Sequence, residues 1–303
     1  AHPPSDARGL ARSLFVRAPD GLRLHVRDYG SRLWSRLPVV CLPGLARTTA
    51  DFETLAVALA TDAKTPRRVI AMDYRGRGLS DYDRDPENYS LPVELADLIA
   101  VLTACAVHRA VFVGTSRGGI LAMLLGAAQP TRIAGVVLND IGPVIELMGL
   151  MRIKSYLGKL PQPRDLADGA AILKRVFEGQ FPKFSEDNWL AFAARTWTDR
   201  GGALTLDFDV RLARLFDGMD AERPLPSLWP QFDSLARAPM LLLRGALSDI
   251  LSPETVAAMR ARRRKLEFVE VPDQGHAPIL DGPDLIQRIA DFARACDTAA
   301  GVD

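Results

Sequence analysis

A serine, an aspartate and a histidine, each just after an apolar run, are the residues of this sequence whose types and spacing can do chemistry. Ser116 lies in Gly114-Thr115-Ser116-Arg117-Gly118, between an apolar run at 110–113 and a small-residue helical run at 118–128. A strand that becomes a helix within two residues strains the serine backbone, and flanking glycines remove Cβ atoms that would collide. The hydroxyl then stands at a helix N-terminus, where free N–H groups can stabilise an oxyanion. Such a hydroxyl is a poor nucleophile until an imidazole takes its proton, and a carboxylate must hold that imidazole in the right tautomer.

The imidazole expected is His276, in Val271-Pro272-Asp273-Gln274-Gly275-His276-Ala277-Pro278, a strand end followed by a loop. His2, His25 and His108 read as structural or solvated. The acid expected is Asp249, in the loop after the apolar strand that begins at Leu241. Asp140, in Leu138-Asn139-Asp140-Ile141-Gly142-Pro143, is the alternative acid; its plainer reading is a loop carboxylate capping backbone donors. The oxyanion donors expected are the N–H groups of Arg117 and Leu45.

Three side-chain readings bear on the substrate. Arg117, with Arg47 as helper, could clamp a substrate carboxylate, or its guanidinium could pair with a loop carboxylate. Trp189 and Trp197 could wall an acyl pocket, or could form the core of the segment that carries them. With a clamp, substrates carrying a free carboxylate would be preferred over neutral esters.

Size and charge exclude several classes. The 303 residues carry 38 basic and 37 acidic side chains, a net charge of +1, so bulk electrostatics give no reason to expect a nucleic-acid or membrane-surface partner. The basic run at 260–265 falls at a helix end, where cations suit the helix dipole. Cys41, Cys105 and Cys296 form no C-x-x-C pair, which suggests reduced thiols, a cytoplasmic home and no metal. No apolar run reaches the roughly 18 residues of a membrane span, and the first residues lack a signal-peptide core.

The elements that must position these groups alternate. Strands are predicted at 14–18, 22–29, 38–42, 68–73, 110–113 and 133–139, with the first two joined at Asp20-Gly21. Helices are predicted at 51–60, 91–106 (Ser90 as N-cap) and 118–128. From 144 to 235 the text is helical or irregular with no clear strand; Met151, Ile153, Tyr156 and Leu157 fall on one helix, Leu173, Val176 and Phe177 on another. Alternation resumes with strands at 240–244 and 266–271 and helices at 253–263 and 283–295. This is an α/β chain with a mostly parallel sheet covered on both faces. The expected organisation is a core of residues 1–143 and 236–303 with an all-helical cap inserted at 144–235, above the carboxyl edge where such sheets bind ligands.

Five stretches in this order resemble the α/β-hydrolase superfamily over nearly the whole chain: Leu42-Pro43-Gly44-Leu45, Asp73-Tyr74-Arg75-Gly76-Arg77-Gly78-Leu79-Ser80, Gly114-Thr115-Ser116-Arg117-Gly118, Asp249 and Gly275-His276. The order Ser–acid–His is also that of the superfamily. The resemblance implies an eight-stranded sheet and a cofactor-free serine hydrolase with a helical cap. Pro43 stands where many relatives have His. Serine rather than aspartate as nucleophile disfavours the dehalogenase and epoxide-hydrolase branches. The expected reaction is cleavage of a small carboxylic ester (EC 3.1.1). A carbon–carbon hydrolase of keto acids with the same triad is the alternative, and a non-catalytic ligand receptor on the same scaffold is a further one. The expected partner is a small acyl substrate, with a homodimer left open.

Overall fold

The computed structural model describes residues 9–219 and 225–302; His2 lies outside them. In chain order the elements are β1 (Ala11–Arg17), β2 (Arg23–Tyr29), β3 (Val39–Leu42), α1 (Glu53–Ala60), β4 (Val69–Met72), α2 (Leu91–Ala104), β5 (Ala110–Thr115), α3 (Arg117–Ala128) and β6 (Ile133–Asn139). There follow α4 (Leu147–Tyr156), α5 (Leu166–Phe177), α6 (Glu186–Ala194), β7 (Trp197–Asp199), β8 (Leu204–Leu206) and α7 (Trp229–Ser234). The chain closes with β9 (Met240–Gly245), α8 (Pro253–Arg262), β10 (Glu267–Val271) and α9 (Pro283–Ala300).

Eight strands form one sheet in the order β1-β2-β4-β3-β5-β6-β9-β10. Antiparallel pairing is confined to β1–β2 and β2–β4; the other ladders are parallel. The central strands are buried on both faces, so they read as unbroken apolar runs such as Val39–Leu42 and Met240–Leu243 rather than as alternation. One face packs with Leu98, Leu102, Leu121 and Leu125 from α2 and α3. The other packs with Leu55 and Leu59 of α1 and Ile289 and Phe292 of α9. Eight mostly parallel strands are what the resemblance implies.

The stretch between β6 and β9 leaves the sheet, although those two strands are neighbours in it. It carries its own aromatic cluster, built on Leu173, Phe177, Phe181, Trp189, Phe192 and Trp197. It is not all-helical, which corrects the expectation: β7 and β8 form an antiparallel hairpin with Trp197 opposite Leu206. Gly201 and Gly202 make the turn at φ of 72° and 89°, and Arg200 N–H donates to Ala203 O. Three-residue strands are too short to display a period-2 pattern, so the sequence carries no sign of them.

Candidate active site

The elbow at Ser116 follows from crowding. A Cβ on Gly118 would lie 2.0 Å from Leu42 O, and one on Gly114 would lie 2.5 Å from the Gly118 carbonyl carbon. Only bare backbone lets β3, β5 and α3 approach so closely. Ser116 takes φ 51°, ψ −114° between strand and helix, a region non-glycine residues rarely visit.

Ser116 Oγ lies 2.8 Å from His276 Nε2, and His276 Nδ1 lies 2.7 Å from Asp140 Oδ2. Asp140, not Asp249, therefore faces the imidazole, which corrects the first expectation for the acid. The sheet explains why. Thr115 pairs with Asn139 across β5 and β6, so the next residues, Ser116 and Asp140, leave the sheet side by side. Asp140 is fully buried. Its Oδ1 accepts Gly245 N–H at 2.9 Å, and its Oδ2 also accepts the Ser248 hydroxyl at 2.6 Å. Those bonds aim the remaining lone pair at His276.

Asp249 is turned the other way. Its carboxylate accepts Arg152 Nε and Nη2 at 2.5 and 2.9 Å, binding the loop after β9 to α4. Burial alone would raise the Asp249 carboxyl, but the Arg152 guanidinium holds it below the usual carboxylate value.

Leu45 N–H and Arg117 N–H have no acceptor among the described residues; Arg117 is the first residue of α3, where an amide has no partner within the helix. The Arg117 side chain turns away, donating from Nε to Glu94 at 2.6 Å and from Nη2 to Tyr89 O at 3.1 Å. Glu94, fully buried in α2, also pairs with Arg77 at 2.8 Å, and Arg77 Nε donates to Leu45 O at 2.9 Å. One buried carboxylate thus ties the two amide-bearing segments together. Glu94 and Arg77 were invisible as a pair in the sequence, where 17 positions separate them.

Beside Ser116 opens a cavity of about 150 Å³. Tyr156, Leu157, Leu173, Phe177, Phe181 and Phe192 supply much of its apolar wall. Trp189 and Trp197 do not line it. Trp189 packs edge-on to Phe184 with ring centroids 5.0 Å apart, and Trp197 lies against Gly169, so both belong to the core of the inserted stretch. Arg47 does line the cavity, but its guanidinium is engaged by Asp51 at 2.5 and 2.7 Å and by Thr196 at 2.9 Å. Of the two readings of Arg117, the structure shows the one in which its guanidinium pairs with a carboxylate, and no clamp is formed with Arg47: each guanidinium already has its carboxylate.

The same three residue types meet a second time. Ser13 Oγ lies 3.0 Å from His25 Nε2, and His25 Nδ1 lies 2.7 Å from Asp73 Oδ2. Ser13 is in the middle of the edge strand β1, with no elbow and no helix N-terminus behind it. Asp73 also accepts Thr49 N–H and Leu79 N–H, which marks it as the knot of the Asp73–Ser80 stretch. Triad distances alone do not make a site; the strained elbow, the helix N-terminus and the cavity distinguish Ser116.

Among the described residues no cluster of His, Cys, Asp and Glu could hold a metal ion, and no helix is long and apolar enough to cross a membrane.

A family profile described as "Alpha/beta hydrolase family" matches residues 39–288. The 3-hydroxybutyrate-oligomer hydrolase of Cupriavidus necator is 32% identical over 274 residues, covering 88% of this chain and 91% of that protein. The 2-(acetamidomethylene)succinate hydrolase of Mesorhizobium japonicum is 25% identical over 257 residues, covering 84% and 85%. An alpha/beta hydrolase of known structure from Novosphingobium aromaticivorans matches with a TM-score of 0.87 at 41% identity, covering 94% of this chain and 98% of that one.

Proposed function

The chain belongs to the alpha/beta hydrolase family, and from that premise we propose that it is a cofactor-independent serine hydrolase cleaving small carboxylic esters through an acyl-enzyme on Ser116. The observation that carries this reading is the continuous line Ser116–His276–Asp140, at 2.8 and 2.7 Å, opening on an apolar cavity of about 150 Å³. The part of the inserted stretch that lines the cavity, from Ile153 to Phe208, serves in it as a cap.

In this mechanism Ser116 Oγ attacks the ester carbonyl carbon while His276 Nε2 takes the hydroxyl proton. Asp140 keeps the other imidazole proton on Nδ1 and stabilises the imidazolium. The carbonyl oxygen becomes an oxyanion between Leu45 N–H and Arg117 N–H; one such donor is worth roughly 2.7–4 kcal/mol in comparable sites. Collapse expels the alkoxide, which takes the proton back from His276. Water then enters, gives a proton to His276 and attacks the acyl-enzyme; collapse releases the acid and returns that proton from His276 to Ser116 Oγ.

The wall chemistry favours neutral esters over keto acids. Arg47 is the one guanidinium among the described residues lining the cavity, and Asp51 cancels its charge. Apolar cavities of roughly 150 Å³ accept a group the size of benzene, which suits acyl chains of a few carbons. The C. necator relative is named for oligomers of a hydroxy acid, whose links are esters, and this agrees with the proposed chemistry. The receptor reading is the weaker one, since pure binding has no use for an assembled proton relay.

The test combines intact-mass analysis after fluorophosphonate treatment with turnover of a p-nitrophenyl ester series. A single adduct, absent from Ser116→Ala, and a kcat/KM maximum at short acyl chains are expected. Neither adduct nor turnover would leave the receptor reading in its place.

A further inference from the structure

His276 is held from two sides. On the core side, Asn139 Nδ2 donates to Pro278 O at 2.9 Å, and Asn139 O accepts Ser116 N–H at 3.0 Å. On the other side stands Gln180, just beyond α5 in the inserted stretch. Its backbone carbonyl accepts Gly275 N–H at 2.7 Å, and its side-chain Oε1 accepts His276 N–H at 2.8 Å. The contact is close: a Cβ on Gly275 would lie 2.0 Å from Gln180 Oε1. Gln180 is itself fixed. Its N–H donates to Phe177 O at 2.8 Å, and the next residue, Phe181, is buried against Phe184 and Phe192 while lining the cavity.

We propose that Gln180 is a positioning residue for His276, so that the inserted stretch sets the attitude of the proton carrier as well as roofing the cavity. The proposal rests on the serine-hydrolase reading of Ser116. The imidazole must meet Ser116 Oγ and Asp140 at once, and two anchors on consecutive amides fix the backbone from which it hangs. With the side-chain anchor gone, His276 N–H loses its acceptor while the Gly275 bond to Gln180 O remains. The loop then samples orientations in which Nε2 no longer reaches Oγ. A second consequence is that the 178–181 segment cannot swing open as a lid without releasing the histidine, so substrate enters past another part of the roof.

The test compares wild type with Gln180→Leu and Gln180→Glu. Leucine removes the acceptor at similar volume, whereas glutamate keeps a carboxyl oxygen for His276 N–H. Phosphonylation rate at Ser116 and kcat for a neutral ester are expected to fall about tenfold in Gln180→Leu, the size of one lost hydrogen bond, with KM little changed. Gln180→Glu is expected to recover most of the loss. If wild type labels at Ser116 and Gln180→Leu labels and turns over equally fast, the positioning role is overturned while the hydrolase reading stands. The positioning role also falls if KM alone changes, or if glutamate is no better than leucine. A wild type that neither labels nor turns over ester overturns both.

Discussion

Replacing each candidate acid by asparagine separates the roles of Asp140 and Asp249. Asp140 is fully buried, and its Oδ2 receives the Nδ1 proton of His276 at 2.7 Å. An amide there can present N–H to Nδ1, which favours the tautomer whose proton sits on Nε2 and leaves nothing to accept the Ser116 proton. In serine triads this error costs about 10⁴ in kcat, or about 5.4 kcal/mol at 1.36 kcal/mol per tenfold. Asp249 has no such partner. Its ion pair with Arg152 joins side chains that are 27% and 22% exposed, so its loss should cost about 1 kcal/mol of stability or less. Steady-state kinetics on a p-nitrophenyl ester, with thermal melts of both variants, give the answer. Asp140→Asn should keep its fold and lose nearly all turnover, while Asp249→Asn should turn over near the wild-type rate and melt slightly earlier. An Asp249→Asn variant as inactive as Asp140→Asn would refute the assignment and mean that the loop after β9 reorganises in the working enzyme.

Three further outcomes follow from polar groups away from Ser116. Ser13→Ala should leave both ester turnover and fluorophosphonate labelling at wild-type levels, because Ser13 sits mid-strand with no elbow and no helix N-terminus behind it; a Ser13 adduct in peptide mapping would contradict this. Glu94→Gln should lower unfolding free energy by about 3–5 kcal/mol in denaturant melts, since it strands the buried Arg77 guanidinium. The Glu94 contribution also depends on pH. Burial pushes its carboxyl up, but Arg77 and Arg117 hold it below the ordinary value. A depressed carboxylate stabilises the fold fully above its unfolded value, about 4.3, and loses that contribution as pH falls through the lower folded value. Melting temperature should therefore decline more steeply below about pH 4 in wild type than in Glu94→Gln. Parallel declines would show that other carboxylates control the acid limb.

Much of this architecture is legible in the sequence because parallel strands buried on both faces must be apolar throughout, as 110–113 and 240–243 are. The turn at Ser116 is legible because two glycines sit where any Cβ would strike backbone. The choice between Asp140 and Asp249 is not, since both follow a core strand and chain order does not say which loop bends toward the histidine. That depends on the ladder register placing Asn139 beside Thr115, and on α4 carrying Arg152 to meet Asp249. The side-chain direction of Arg117 was open for a similar reason: its partner Glu94 comes from another helix. Trp189 and Trp197 are as apolar as the phenylalanines of the cavity wall, and only the packing of α5 on α6 decides which rings face Ser116. Gln180 has no sequence signal; a single polar side chain after a helix is ordinary until its acceptor oxygen is found against the His276 amide.

The bonds that steady Asp140 bear on how the chain comes to life during synthesis. Its carboxylate is held by Gly245 N–H and the Ser248 hydroxyl, and its imidazole partner lies 136 positions further on. At 5–20 residues per second, Asp140 is made roughly 7–27 s and Ser116 roughly 8–32 s before His276. Throughout that interval the serine has no base, and for most of it the aspartate also lacks the two donors that aim it. Reactivity arrives only when β9 and β10 close the edge of the sheet, so a fragment stopped inside the inserted stretch carries the nucleophile without the means to use it.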